Sequence, residues 1–170
     1  TVLACEQMSK TKTGALIIFE RNMKLSDIMT TGTIINADIT AELLKNIFYP
    51  KAPLHDGALI IRNFRIAAAG CMLPLTAKTN LSKDLGMRHR AGIGASEISD
   101  AITVIVSEET GGISVAIEGM LKRNLSVAML EQILRKELVV EETKKSTAAE
   151  VFSRFFDKHK VNKDGTEKKN

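Results

Sequence analysis

Ahead of an apolar run, the chain sets an imidazole, a carboxylate and a glycine in consecutive positions, His55-Asp56-Gly57, within Pro53-Leu54-His55-Asp56-Gly57-Ala58. A turn with only a folding role rarely needs that combination. A neutral imidazole nitrogen can bind a divalent ion, and a carboxylate can orient or deprotonate a hydroxyl. A glycine lets backbone approach a bound group because it has no Cβ. The alternative is a turn in which Asp56 caps a backbone amide and His55 is solvated. The spacing leaves both readings open.

Further along, Arg88-His89-Arg90 offers two guanidiniums and an imidazole close to Gly92, Gly94 and Ser96. Arginine forks match phosphate oxygens and stay charged at any physiological pH. At the start of a helix, free backbone amides would add to an anion site. A solvated surface patch is the alternative, and the small neighbours tilt the reading toward phosphate. Gly92 and Gly94 would each weaken a helix by roughly 1 kcal/mol relative to Ala, which is easier to understand if something approaches that backbone closely. Ser107-Glu108-Glu109 follows another apolar run, and the ends of central strands are where α/β proteins place ligands. One hydroxyl and two carboxylates suit phosphate and metal, because Mg²⁺ is usually held by one or two protein groups plus substrate phosphates; an ordinary acidic turn has the same composition. Neither a Gly-Lys-Ser/Thr phosphate loop nor a Gly-x-Gly-x-x-Gly turn is present. Met72 and Met87 read as packing groups, and Glu97 and Asp100 as helix-surface or capping residues. Our expectation is that the clusters at His55 and Arg88 meet in space and hold a nucleoside triphosphate.

The elements that must position these residues alternate between strand and helix patterns, which favours an α/β class with a mixed central sheet flanked by helices on both faces. Residues 1–10 read as a short helix with Val2, Leu3, Cys5 and Met8 on one side. Gly14 to Phe19 reads as a strand buried on both faces. Lys24 to Met29 supplies one or two helical turns, and Ile34 to Ala37 a short strand. Thr40 to Tyr49 is an amphipathic helix, capped by Asp38 or Thr40 and stopped by Pro50 and Pro53. Ala58 to Ile61 and Ile66 to Leu73 form a hairpin about Arg62-Asn63-Phe64-Arg65. A polar loop follows over residues 74–83, then a helix from Ala91 to Ser99, a buried strand from Ala101 to Val106, and a final strand from Ile113 to Ile117. Ser126 caps a last helix with Val127, Leu130, Ile133 and Leu134 on one face. We expect the folded domain to occupy residues 1–140 and a charged tail residues 141–170, with a helical patch of Val151, Phe152, Phe155 and Phe156 and disorder from about Val161.

Of 170 residues, 44% are hydrophobic and 26% charged, enough for one domain with a core. The net charge of +4 is unevenly spread: residues 135–170 hold 10 Lys+Arg against 7 Asp+Glu, leaving 14 against 13 elsewhere. With a nearly neutral body, no Trp and one Tyr, the chain lacks the basic surface and stacking platforms of a nucleic-acid binder. Cys5 and Cys71 lie in apolar company without metal-type spacing, which fits a reducing compartment. No apolar run has the length of a membrane span.

Leu54-His55-Asp56-Gly57-Ala58 followed by Leu85-Gly86-Met87-Arg88-His89-Arg90 resembles the diadenylate cyclase (DAC, or DisA_N) domain family, CdaA type. Thr13 to Arg21, Ser96 to Ala101 and Val106 to Gly111 carry the resemblance further, over roughly residues 10–120. It implies that two ATP become cyclic di-AMP plus two pyrophosphates, with Mg²⁺ or Mn²⁺, in a face-to-face homodimer. It implies that Asp56 activates the ribose 3′-hydroxyl, that Gly57 and Ala58 floor the nucleotide, and that Arg88, His89 and Arg90 shape the triphosphate site. Ser107 would bond a phosphate oxygen, Leu73 would meet adenine through its backbone with Met72 covering the base, and His55 and Glu109, or less readily Glu108, would hold the metal.

Two positions depart from the family pattern: Met87 stands where many relatives have Thr, and Met72 where CdaA relatives often have an aromatic. The family further implies upstream transmembrane helices, a position for this part on the cytoplasmic side of the membrane, and as partners a CdaR-type regulator and phosphoglucosamine mutase. Against the cyclase reading stands a domain that binds ATP or cyclic di-AMP without turnover, which Met87 favours and Asp56 with its arginines opposes.

Overall fold

The structure, a computed structural model, describes residues 1–82 and 84–138. The chain divides into two units, Thr1–Glu131 and Gln132–Asn170. All that follows concerns the first unit; of the second, residues 132–138 are helical. The expected tail, with its patch at Val151 to Phe156, lies outside the described residues.

Seven strands form one sheet in the order β2-β4-β3-β1-β5-β6-β7. They are β1 (Ala15–Phe19), β2 (Thr33–Asp38), β3 (Ala58–Arg62), β4 (Arg65–Cys71), β5 (Ile102–Val106), β6 (Ile113–Ile117) and β7 (Met120–Lys122). Only β1 and β3 pair in parallel; every other neighbouring pair is antiparallel. The sheet is mixed, as expected. β1 and β5, at its centre, are buried along their whole length, which is why they read as continuous apolar runs rather than alternating ones.

Helices cover both faces. Leu16, Ile18, Ile60 and Ile105 share one core cluster with Ala91, Ile93 and Ala95 of α4 (Met87–Ile98). Ile17, Leu59 and Val104 alternate to the opposite face and are fully buried there. On that side α1 (Val2–Lys10) packs against α3 (Ala41–Ile47) and β5. The buried side of α1 is Ala4, Cys5 and Met8, not the face with Leu3, which is exposed. A short α2 (Ser26–Met29) lies against β4. Thr40, not Asp38, caps α3, accepting from the Leu43 amide at 3.1 Å; such a cap is worth about 1 kcal/mol. Asp38 pairs with Arg65 instead.

Three expectations change. Helix α4 starts at Met87, with Gly86 as its N-cap, four residues earlier than expected. The Arg-His-Arg triplet therefore sits within the first turn rather than ahead of it. Secondly, β6 is not the last strand: Glu118 and Gly119, both with positive φ, turn the chain into β7, a two-residue hairpin of the kind that matches strand twist.

The third change concerns what approaches the glycines of α4, which is the protein itself. A Cβ on Gly92 would lie 2.9 Å from Ile105 and 3.0 Å from Thr103, and one on Gly94 would lie 2.2 Å from the Pro74 carbonyl oxygen. The glycines let α4 settle onto β5 and let the loop after β4 cross over it.

Candidate active site

At one end of the sheet the chain enters β1 and β3 and leaves β4 and β5. The segments that carry the chemistry are the connections at this end. The residues before β3 turn back on themselves: the His55 amide donates to the Ala52 carbonyl at 3.2 Å, and His55 Nδ1 lies 2.6 Å from the same oxygen. Because a carbonyl oxygen only accepts, Nδ1 is the donor in that contact. Asp56 is exposed and has no hydrogen bond or ion pair among the described residues. Gly57 has φ +126, and a Cβ there would lie 2.7 Å from the Gly70 carbonyl carbon. Its absent side chain is thus demanded by the adjacent strand β4. Ala58 begins β3, pairs with Cys71 and is fully buried.

Arg88 draws this turn to the rest of the site. Its Nη2 donates to the His55 carbonyl at 3.4 Å, and its Nη1 donates to Glu108 Oε2 at 2.8 Å. Its Nε is buried without an acceptor. The guanidinium lies over Gly14, where a Cβ would come within 2.8 Å of Nη1. The expected meeting of the His55 and Arg88 clusters is therefore a direct contact. A small cleft of about 20 Å³ lies between Gly86, Met87, Arg88 and His89 on one side and Val106, Ser107, Glu108 and Glu109 on the other. The amides of Met87 and Arg88, in the first turn of α4, have no acceptor within the helix. Ser107 Oγ accepts from the Thr110 amide at 3.2 Å, closing the turn after β5.

The triplet does not act as one patch. His89 is buried, with Nε2 3.5 Å from Ser114 Oγ of β6. Burial, together with the nearby Arg123 guanidinium, holds its pKa below the usual imidazole value despite Asp84 and Glu109. It is neutral at pH 7 and anchors the first turn of α4. Arg90 is half-buried, and its carbonyl accepts from the Thr76 amide at 3.1 Å. Met87 is exposed at the helix start. Met72 is exposed, its amide donating to Thr31 Oγ1 at 2.8 Å. Leu73, half-buried, packs on the core cluster. Glu97 and Asp100 are structural, as expected. Glu97 pairs with Lys78, and Asp100 accepts from the Asn22 and Met23 amides at 3.0 Å each.

Among the described residues, no group of three or more His, Cys, Asp or Glu side chains forms a metal cage. Glu109 lines the small cleft beside Arg88, and His55 stands in the turn before β3. Two residues of the site hold parts that the sequence reading did not assign to them. Gly14 was legible only as the start of a strand, and Glu108 appeared as a metal candidate rather than the partner of Arg88. A glycine directly ahead of a fully apolar strand was the available signal for the first.

Residues 2–121 match the DAC family, described as the nucleotide-binding domain of the DisA bacterial checkpoint controller. The chain belongs to that family. It is 46% identical over 159 residues to the cyclic di-AMP synthase CdaA of Bacillus subtilis (strain 168), covering 94% of this chain and 56% of that protein. It is 48% identical over 150 residues to a diadenylate cyclase of Listeria monocytogenes (strain 10403S), covering 88% and 54%. The DAC chain thus spans about half the length of these relatives. Its fold matches the crystal structure of a double mutant of DacA from Staphylococcus aureus, with a TM-score of 0.79 and 48% identity over 80% of this chain and 91% of that one. It also resembles a protein from Bacillus cereus described as membrane-spanning, with a TM-score of 0.70 and 49% identity over 73% and 61% of the two chains. Among the described residues of the DAC chain, no helix is long and apolar enough to cross a membrane.

Proposed function

We propose that this DAC domain is the catalytic part of a diadenylate cyclase that joins two ATP molecules into cyclic di-AMP and releases two pyrophosphates. The observation that carries the reading is the contact of Arg88 with the His55 backbone, which sets an unpartnered carboxylate, Asp56, beside a half-satisfied guanidinium. A carboxylate free of partners suits a hydroxyl, and a shielded arginine with a spare donor suits phosphate.

In this mechanism each domain binds one ATP and two domains face each other. Asp56 accepts the proton of the ribose 3′-hydroxyl of its own ATP. The hydroxyl oxygen forms a bond to the α-phosphorus of the ATP held by the partner, and the bond from that phosphorus to the β-phosphate oxygen breaks, releasing pyrophosphate. The same exchange in the other direction closes the ring. Arg88, the first-turn amides of α4 and Ser107 hold phosphate oxygens, while His89 and Arg90 fix the helix that presents them. Gly57 and Ala58 lie under the nucleotide. Leu73 offers backbone groups to adenine and Met72 covers the base. Mg²⁺ or Mn²⁺, held through His55 and Glu109, supplies charge neutralisation on the triphosphate when bound. The exposure of Asp56 supports a face-to-face arrangement, because an active site completed by a second copy must open to the surface.

The description of the Bacillus cereus neighbour as membrane-spanning supports anchoring of the full-length protein at a membrane, and the proposal places this domain on the cytoplasmic side. A CdaR-type regulator and phosphoglucosamine mutase belong to the same proposal as partners. A second reading, binding of ATP or cyclic di-AMP without turnover, draws on Met87, whose exposed thioether cannot donate to phosphate. Incubating the purified domain with ATP and Mn²⁺ and separating the nucleotides decides between them. Cyclic di-AMP is the expected product. ATP left intact at concentrations where the domain dimerises would establish the second reading instead.

A further inference from the structure

Strand β7 ends at the same end of the sheet as β5, and Arg123 is the residue that follows it. Val115 of β6 pairs with Lys122. One step further along this register Arg123 stands opposite Ser114, and partners across an antiparallel pair put their side chains on one face. That is the face of α4. Ser114 Oγ meets His89 there, and Arg123 Nη2 donates to Asp84 Oδ2 at 2.6 Å, two residues ahead of the Gly86 cap. Burial and then the Arg123 charge hold the His89 pKa low, and His89 lines the small cleft at the start of α4. The bond to Asp84 is the only one the Arg123 side chain makes among the described residues, so its Nε and Nη1 are spare. The pair is open to solvent, 36% on the arginine and 57% on the carboxylate. Exposed pairs contribute little to stability, and Asp84 can be exchanged for a more highly charged anion at small cost.

The strand order β3-β1-β5-β6-β7 gives the site a direction. Asp56 leads into β3, Arg88 lies over Gly14 ahead of β1 and reaches Glu108 after β5, and Arg123 follows β7, two strands beyond β5. On the cyclase reading, on which this inference rests, the ribose sits at Asp56 and Arg88 holds phosphate. The triphosphate then runs along the strand ends from β3 toward β7, across the start of α4. We infer that Arg123 is a second phosphate-binding arginine, which leaves Asp84 to take the terminal phosphate of ATP. Asp84 holds the guanidinium at the start of α4 until that phosphate replaces it. The phosphate so bound belongs to the pyrophosphate that departs.

The test is calorimetric titration of the 170-residue chain with 3′-deoxy-ATP and, separately, 3′-deoxy-ADP in Mg²⁺; neither carries the hydroxyl that would react. Arg123→Gln should weaken the triphosphate roughly tenfold, the equivalent of one charged hydrogen bond, and leave the diphosphate within about twofold. Asp84→Asn should do the opposite and tighten the triphosphate by up to about fivefold, because it frees the arginine. If the pair only tied the loop before α4 to β7, both variants would weaken both ligands alike, and that result overturns the proposal. A loss in Arg123→Gln as large for the diphosphate as for the triphosphate overturns the terminal placement. A wild-type chain that binds neither ligand brings down the cyclase reading as well. A wild-type chain that binds both, with Arg123→Gln indifferent, overturns this inference alone. Urea unfolding checks that the variants are folded, since breaking an exposed pair should leave the midpoint nearly unchanged.

Discussion

Strands β1 and β3 lie parallel at the middle of the sheet, and an Arg–Glu pair stands at each end of them. Where the strands end, Arg62 donates to Glu20 through Nε at 2.9 Å and Nη2 at 2.6 Å. The Leu25 amide adds a third bond at 2.9 Å, and Ser26 Oγ accepts from Arg62 at 3.2 Å. Where the strands begin, Arg88 meets Glu108 through one nitrogen, reaches a carbonyl at 3.4 Å with another, and keeps a buried Nε without a partner. The carboxylates differ as much: the Glu20 side chain is 1% exposed and that of Glu108 63%. One end is saturated and closed. The other leaves donor capacity on its arginine and a bare carboxylate, Asp56, beside it. The first arrangement holds connections together, and the second leaves room for a ligand.

Removing each arginine or carboxylate should therefore separate stability from binding. Arg88→Ala should have the largest effect, a loss of about 3 kcal/mol in ATP binding, or roughly 100-fold in affinity, with little change in unfolding. Calorimetry and urea denaturation of the same variant check both halves. Glu20→Gln should do the reverse. Breaking a buried pair on one side costs about 3 kcal/mol, seen as a lower urea midpoint, while ATP affinity stays. Burial pushes the Glu20 carboxyl up, but Arg62, the Leu25 amide and Lys24 outweigh it and hold the pKa below the usual value. Its contribution is thus complete above the unfolded carboxyl's pKa, about 4.3, and is lost as pH falls through the lower folded value. The wild-type chain should lose stability on acidification below that pH more steeply than Glu20→Gln.

Two smaller changes sharpen the contrast at the open end. Gly14→Ala puts a methyl group where Arg88 now lies, and a flexible guanidinium can move aside. ATP affinity should drop about tenfold, equivalent to one charged hydrogen bond, with a smaller change in unfolding. Glu108→Gln removes an exposed partner, and such pairs contribute about 1 kcal/mol or less. Its unfolding curve should nearly overlay that of the wild type; a large destabilisation would mean that the two ends are alike after all.

The contrast was only partly legible in the sequence. Apolar periodicity located β1, β3, β4, β5 and β6 because buried strands declare themselves by composition. It missed β7, whose exposed Met120 and Lys122 carry no such signal. The Asp56 and Arg88 clusters stood out because several ionisable groups fall in consecutive positions beside glycines and an apolar run, although a plain turn and a surface patch remained open for them. Their contact, and the inward turn of His89, depended on where α4 begins, and neither Gly86 nor Met87 marks a helix start with a capping side chain. Gly92 and Gly94 show the limit most plainly: a glycine announces that something comes close, and only the packing shows that it is β5 and the Pro74 loop.

The most direct measurement pairs ATP binding with product formation in Asp56→Asn. The side chain keeps its size and loses the ability to take a proton, so ATP should bind within a few-fold of the wild type while cyclic di-AMP formation with Mn²⁺ falls by roughly 100-fold or more. Cyclisation at the wild-type rate would contradict the role given to Asp56 and, with it, the reading of the open end as a catalytic site.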